Sequence, residues 1–361
     1  MVTPKERMLR CLHGQSTDLI PWVPRLDLWY QANKRAGTLP SQYRNHSLRE
    51  ITDDMEVGFH AVVPDFQDLR DPDEDIDRAL GFTNLHTIPV RTVLENVKQT
   101  VSRDGGRTSI RYDTPVGSLS TTMLYDDEMQ KAGITIPHVE EYAVKSVEDY
   151  QAVGYIFANA RVEENYDGYL EYRERVGGRG LTVGFVNSAA SPMHLIQRDL
   201  MPVDTFFYHA YDHPDELSEL AARIEPYWQR LLKCAAECPA EVLMLGANYD
   251  SAITYPPFFE QHLLPGLKNF AHRLHGEGKY LLTHTDGENS GLLDLYLRSG
   301  IDIADSICPA PMTSLTIRAI REVFGEKITI MGGIPSIALL PSALPDREFE
   351  TFLDDFFSSI G

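Results

Sequence analysis

Long apolar runs are missing from this 361-residue chain, and so is any excess of basic residues. No stretch approaches the roughly 18–20 apolar residues that cross a bilayer, so no membrane partner is expected. Lys and Arg number 33 against 53 Asp and Glu, a formal charge of −20. Phosphate backbones are bound by basic clusters, so no nucleic-acid partner is expected either. There are only four cysteines, Cys11, Cys234, Cys238 and Cys308, and they show no disulfide framework. Nothing hydrophobic follows Met1-Val-Thr-Pro-Lys-Glu-Arg, so no export signal is read and the expected location is cytoplasmic.

What the chain does have is enough apolar content, 43%, to bury a large core. Its most informative stretch is Leu281-Leu-Thr-His-Thr-Asp-Gly-Glu288, where an apolar run ends in His284, Asp286 and Glu288. Three neighbouring runs end in the same manner. Residues 241–249 lead into Asp250, 301–307 into Cys308, and 327–331 into Gly332-Gly333. Each is short, β-branched and followed by a helical pattern, as buried parallel strands are. Parallel strands carry their carboxyl ends on one face, and α/β enzymes place their chemistry there.

Strand starts at 241, 279, 301 and 327 suit βα repeats with helical crossovers. The expected fold is α/β, a single (β/α)8 TIM-type barrel forming one domain over 1–361. Further strands are expected at Ile20–Arg25, His60–Asp65 and Leu181–Asn187. Helices are expected at 4–13, 47–57, 146–162, 192–210, 213–237 and 346–358. Thr108–Asp113 and Ser118–Met123 alternate about a Thr-Pro-Val-Gly turn, a hairpin foreign to a βα repeat. Residues 85–140 therefore read as an insertion, with its hairpin around 107–123. The chain stops at Gly361 soon after the last predicted helix, so either the sequence is truncated or the barrel lacks its last strand.

The acidic stretch Asp65–Asp77 lacks the glycine and terminal acid of a Ca²⁺ loop and reads as a solvated loop. Cys234 and Cys238 share a helix face and read as core. Gly177-Gly-Arg-Gly180 precedes a strand and reads as a connector. His284 and Asp286 alternate on one strand end and so face the same side. Imidazole, carboxylate and thiolate are all zinc donors, and a catalytic site uses three protein ligands and an open position. Cys308 is the thiolate candidate, with Glu288 and Asp305 as reserve oxygen donors. A hydrogen-bonded His284–Asp286 pair beside a buried thiol is the alternative. Asp250 reads as a base or substrate anchor, or as a helix cap. Gly332 and Gly333 suit close backbone approach to a ligand, or an ordinary turn. Phe185, Tyr249, Tyr255, Phe258 and Phe259 could line an aromatic pocket or fill the core.

With these residues in place, the chain resembles the uroporphyrinogen decarboxylase-like superfamily of (β/α)8 barrels. That group holds the decarboxylase of haem biosynthesis and the zinc-dependent methyltransferases that work with corrinoid proteins. The resemblance runs through most of the chain. It is strongest at Leu181-Thr-Val-Gly-Phe-Val, Tyr211-Asp-His-Pro-Asp-Glu-Leu, Pro256-Pro-Phe-Phe-Glu-Gln-His-Leu-Leu-Pro, His284-Thr-Asp-Gly and Met331-Gly-Gly-Ile-Pro335. The decarboxylase grips carboxylates through an arginine-rich loop, typically Met-Arg-Gln-Ala-Gly-Arg. Here Asn33-Lys-Arg-Ala-Gly-Thr38 replaces the second arginine with Thr38. The methyltransferase strand typically reads His-x-Cys-Gly, where histidine and cysteine bind zinc. Here Asp286 replaces that cysteine, which implies a harder zinc suited to an ether or alcohol oxygen.

The resemblance thus implies a methyltransferase that moves a methyl group from a small, aromatic methyl ether to a corrinoid protein. Zinc would be held by His284, Asp286 and Cys308, the catalytic residues would be Asp250, His284 and Asp286, and the cobalamin would arrive on a partner. Arg25, Asp27, Phe185, Asn248, Tyr249, Gly332 and Gly333 would contact substrate, and a homodimer is one assembly open to such a chain. The alternatives are a metal-free uroporphyrinogen decarboxylase using Arg25 and Arg35, and a non-catalytic barrel that binds a ligand or a corrinoid protein.

Overall fold

Local capping signals decide where the first helices begin. Thr3 and Glu6 cap each other's backbone amides to open the helix Pro4–Leu12, and Ser47 and Glu50 do the same for Leu48–Asp54. A computed structural model describes residues 2–62, 74, 76–340 and 343–360. The chain divides into two compact units, one of Met1–Asn187 with Pro192–Ala240, the other of Ser188–Ser191 with Glu241–Gly361.

In the first unit, the strand expected at Ile20–Arg25 is irregular backbone. Pro21 and Pro24 carry no N–H for a ladder, and the segment is tied down at Trp22, whose carbonyl accepts from Gly58 N at 2.9 Å. No strand forms over 60–62 either, and the rest of that expected strand, with most of the acidic stretch, lies outside the described residues. The strands are β1 (Val90–Leu94), β2 (Lys98–Asp104), β3 (Arg107–Thr114), β4 (Gly117–Leu124), β5 (His138–Glu141), β6 (Ala160–Glu164) and β7 (Gly184–Asn187). The expected hairpin is β3–β4, closed at Thr114 opposite Gly117. It sits in a four-stranded antiparallel sheet, β2-β3-β4-β5, whose outer strands are polar enough to hide from a hydrophobic pattern.

The helix expected over 146–162 is shorter, Tyr150–Ala158, and its predicted end is instead β6, paired antiparallel with β1. Ladder bonds to β1 outweigh the helical preference of Ala-Arg-Val-Glu-Glu. The helix expected over 192–210 is broken into Pro192–Leu195, a π-turn Ile196–Leu200, and Val203–Asp212 behind Pro202. The following helix runs Pro214–Glu237.

Asp77 is buried beneath this sheet, where its Oδ1 accepts from Gln99 Nε2 of β2 at 2.6 Å and from Tyr112 Oη of β3 at 2.8 Å. Burial raises its carboxyl from an ordinary 3.8 to about 6, against the pull of those two donors. A folded-state value above the unfolded one favours the fold only while the group is protonated, so stability falls as pH rises from 3.8 to about 6. Asp77→Asn keeps both accepted bonds and removes the buried charge. It is expected to gain roughly 2 kcal/mol at pH 7 and to flatten that decline, as read by denaturant melts at pH 4 and 7. A loss of stability at pH 7 would contradict this.

The second unit holds β8 (Val242–Ala247), β9 (Tyr280–His284), β10 (Ile303–Ile307) and β11 (Thr329–Gly332) in the parallel order β11-β10-β9-β8. All six residues of β8 are buried, as a two-sided parallel strand requires. Helices Leu264–Gly276, Leu293–Ser299, Ile317–Phe324 and Asp346–Ile360 follow the four strands in turn. The α/β class and its parallel strands are as expected, whereas among the described residues the strands do not close into a barrel. No helix among the described residues is long and apolar enough to cross a membrane.

Candidate functional site

The parallel register sets His284 at the end of β9 directly beside Asp305 in β10. Their side chains meet there: His284 Nδ1 lies 2.6 Å from Asp305 Oδ2, with only 11% and 3% of the two side chains exposed. Asp305 is a carboxylate inside an otherwise apolar strand, and a buried carboxylate needs compensating donors. The imidazole is the nearest, and the Ser306 hydroxyl adds a second at 3.3 Å. The backbone carbonyl of Asp305 accepts from the amide and hydroxyl of Thr285, which anchors the residue after His284. With Nδ1 held as a donor to Asp305, the ring presents Nε2 outward. Asp286 lies on that side, with Oδ2 at 3.9 Å from Nε2 and 57% of its side chain exposed. That separation is an ion-pair distance and too long for a direct hydrogen bond.

Three further residues lie at the neighbouring strand ends. Asn248 sits at φ +55 and donates its amide to the His284 carbonyl at 3.0 Å, so the turn after β8 is keyed to the end of β9. Asp250 Oδ1 accepts from Ala252 N, and its Oδ2 lies 3.3 Å from Glu288 N. Asp250 therefore caps its own turn and braces the loop after β9. The half-buried thiol of Cys308 sits beside the Met312 sulfur, with 3.6 Å between Sγ and Sδ. Burial pushes this thiol's pKa up, and the negative charge of Asp286 adds to the effect.

Glu288 is fully engaged. Its carboxylate accepts from the amide and hydroxyl of Ser290 at 2.9 and 2.7 Å, and from those of Ser314 at 2.7 and 2.9 Å. These donors, the Ser290 hydroxyl foremost, bring its pKa down to about 2.

Tyr249, considered for a substrate wall, is fully buried among Phe259 and Tyr296, with ring centroids at 5.2 and 5.9 Å. Its hydroxyl lies 2.9 Å from Thr283 Oγ1. Gly332 and Gly333 adopt φ +104 and +88. A side chain on Gly332 would press on the Ser306 backbone of β10 at 3.2 Å, and one on Gly333 would meet the Ile317 side chain of the following helix at 3.0 Å, so both positions favour glycine for local packing. Arg25, Asp27 and Phe185 belong to the first unit. Arg25 Nε pairs with Asp27 Oδ1 at 3.0 Å, Arg35 donates to the Gln130 carbonyl at 2.8 Å, and Phe185 is buried.

A catalytic zinc needs three protein donors around one point. His284 is well prepared for such a role, because a carboxylate behind Nδ1 is the usual partner of a metal-bound imidazole. Asp286 is a second donor on the correct side of the ring. The set stops there: Asp305 is spent on Nδ1, Glu288 on four serine donors, and among the described residues no three His, Cys, Asp or Glu side chains converge to hold a metal. The donors present do not complete the zinc centre that the sequence resemblance implies.

No protein-family model matches the chain, and no curated protein matches it. Among solved structures, a methyltransferase from Methanosarcina mazei is similar over 92% of this chain and 83% of its own, at 16% identity and a TM-score of 0.46. A likeness at that level assigns no activity, so the functional reading rests on the strand-end residues themselves.

Two roles are hidden from sequence reasoning. Asp305 stands there only as a reserve ligand, although a carboxylate in an apolar strand is a usable signal of a buried partner. Ser290 and Ser314, which hold Glu288, carry no distinguishing pattern in sequence.

Proposed function

We propose that this chain is a methyltransferase that removes a methyl group from the oxygen of a small ether, with His284 as the proton donor to that oxygen. The observation that supports this most is the buried Asp305–His284 pair at the ends of β9 and β10. It fixes one ring nitrogen and aims the other at the side where Asp286 lies. As the ether C–O bond breaks and the methyl carbon passes to the acceptor, the bonding pair stays on oxygen, and His284 delivers the Nε2 proton to it. Asp305 holds Nδ1–H throughout and balances the ring's charge before transfer. An aromatic ether is the favoured substrate, since a phenol oxygen leaves with a conjugate-acid pKa of about 10, far more readily than an alkoxide.

The acceptor in this reading is the reduced cobalt of a corrinoid protein, as the sequence resemblance implies, and it enters the reaction as a co-substrate. The donor set gives no step to zinc. The test uses free cob(I)alamin as acceptor and a panel of methoxylated benzoates and phenols as donors, under strictly anaerobic conditions. The expected result is consumption of cob(I)alamin matched by release of the free phenol, above rates with heat-denatured protein. Absence of phenol release across the panel, with protein that is folded by circular dichroism, would contradict the reading.

A further inference from the structure

Glu288 does more than occupy a strand end. Its four accepted bonds join two loops, the one after β9 that contains Ser290 and the one after β10 that contains Ser314. The two serine hydroxyls also meet each other at 2.6 Å. A third loop is tied in through the backbone: the Glu288 carbonyl accepts from Ser251 N at 2.8 Å, and its amide faces Asp250 Oδ2 at 3.3 Å. One residue therefore connects the turns that follow β8, β9 and β10. Those turns carry Asp250, Asp286 and Cys308. Farther along, Thr313 Oγ1 donates to the Cys308 carbonyl, so a hold on Ser314 is transmitted to the thiol's own backbone.

We infer that Glu288 is a positioning residue, a staple across three strand-end loops that holds Asp286 and Cys308 in place around His284. The significance of those positions rests on the function proposed above, whereas the staple itself is a statement about local geometry. A carboxylate is the side chain suited to this task. It offers only acceptors, and all four donors here are serine amides or hydroxyls. A glutamine with its carbonyl oxygen at the Oε1 position would set its NH₂ group against the Ser314 amide and break the one bond that Oε2 accepts.

The experiment is site-resolved alkylation by iodoacetamide at fixed pH, read by mass spectrometry of the Cys308 peptide beside those of Cys11 and Cys234. Cys308 is half-buried, so its rate reports how often the loop opens. Glu288→Ala is expected to label Cys308 about 10-fold faster, and Ser314→Ala about threefold faster, with Cys11 and Cys234 within about twofold of wild type. Should Glu288→Ala fail to fold, Glu288→Gln and Ser314→Ala carry the test, both with faster labelling confined to Cys308. An unchanged Cys308 rate in folded variants would overturn the inference, as would equal acceleration at all three cysteines. Labelling needs no turnover, so a responsive Cys308 in a protein without demethylase activity would keep the staple and refute only the methyl-transfer reading.

Discussion

Replacing His284 with alanine is expected to lower methyl transfer by at least ~10³-fold while the fold persists. Among the described residues the side chain supplies the only imidazole at these strand ends, and its removal leaves the departing oxygen without a proton. The cost to folding is smaller but real, because Asp305 is then a buried carboxylate whose nearest donor is gone. About 1–3 kcal/mol of stability is expected to go with it. The variant that separates the two effects is Asp305→Asn. Asparagine matches the shape of the carboxylate, yet it can turn its NH₂ towards Nδ1 and so favour the tautomer with the proton on Nε2 and no charge balance behind it. A loss of ~10²–10⁴ in kcat, with KM nearly unchanged, is expected. Glutamine at 284 cannot shuttle a proton and should resemble alanine. Steady-state rates of phenol release check all three, and a His284→Ala enzyme within tenfold of wild type would remove His284 from the chemistry.

The largest expected stability effect lies one layer beneath the site. Gly246→Ala is expected to cost ~3–5 kcal/mol, because two independent constraints converge on that residue. Its φ is +85, a region in which an L side chain is strained. A Cβ there would also stand 1.8 Å from the hydroxyl oxygen of Tyr249. Tyr249 cannot yield, since its ring is packed edge-on against Phe259 and its hydroxyl is hydrogen-bonded near Thr283. The next residues along the chain are Ala247, Asn248, Tyr249 and Asp250, so the same clash would also shift the turn that braces Glu288. A fall in melting temperature of about 10 °C is the expected reading. Combining Gly246→Ala with Tyr249→Phe removes the clashing oxygen and should recover part of the loss, leaving the ring carbon at 2.9 Å and the strain at φ. A single variant that melts within a degree or two of wild type would show that the turn is softer than its packing implies.

Much of the second unit is legible in the sequence, and for a physical reason. Strands buried on both faces are mostly apolar, so β8, β9 and β10 stand out, and the polar residues at or just beyond their last positions mark the carboxyl side. His284, Asp286, Asp250 and Cys308 fall at strand ends on that basis. Register is not legible. That His284 stands opposite Asp305 depends on how β9 and β10 are offset, and neither strand's own sequence encodes the offset. Tyr249 is open to either reading because an aromatic side chain after a strand suits a pocket wall as well as a core. The packing of Phe259 and Tyr296 decides for the core.

The first unit is harder to read. The β3–β4 hairpin has alternation and a turn, and both are local signals. Its neighbours β2 and β5 are polar edge strands, and β6 is masked by helix-favouring residues that only pairing with β1 converts to a strand. At Ile20–Arg25 the apolar pattern misleads, because two prolines remove the amides that a strand needs.

Elemental analysis of purified, metal-replete protein, with phenol release assayed on the same samples for wild type and His284→Ala, distinguishes a proton-donating His284 from a metal-ligating one. The expected result is wild-type protein without stoichiometric metal, whose turnover survives a strong chelator and is lost in His284→Ala. About one zinc per chain, removed together with turnover by either the chelator or His284→Ala, would contradict it and make His284 a metal ligand instead of a proton donor.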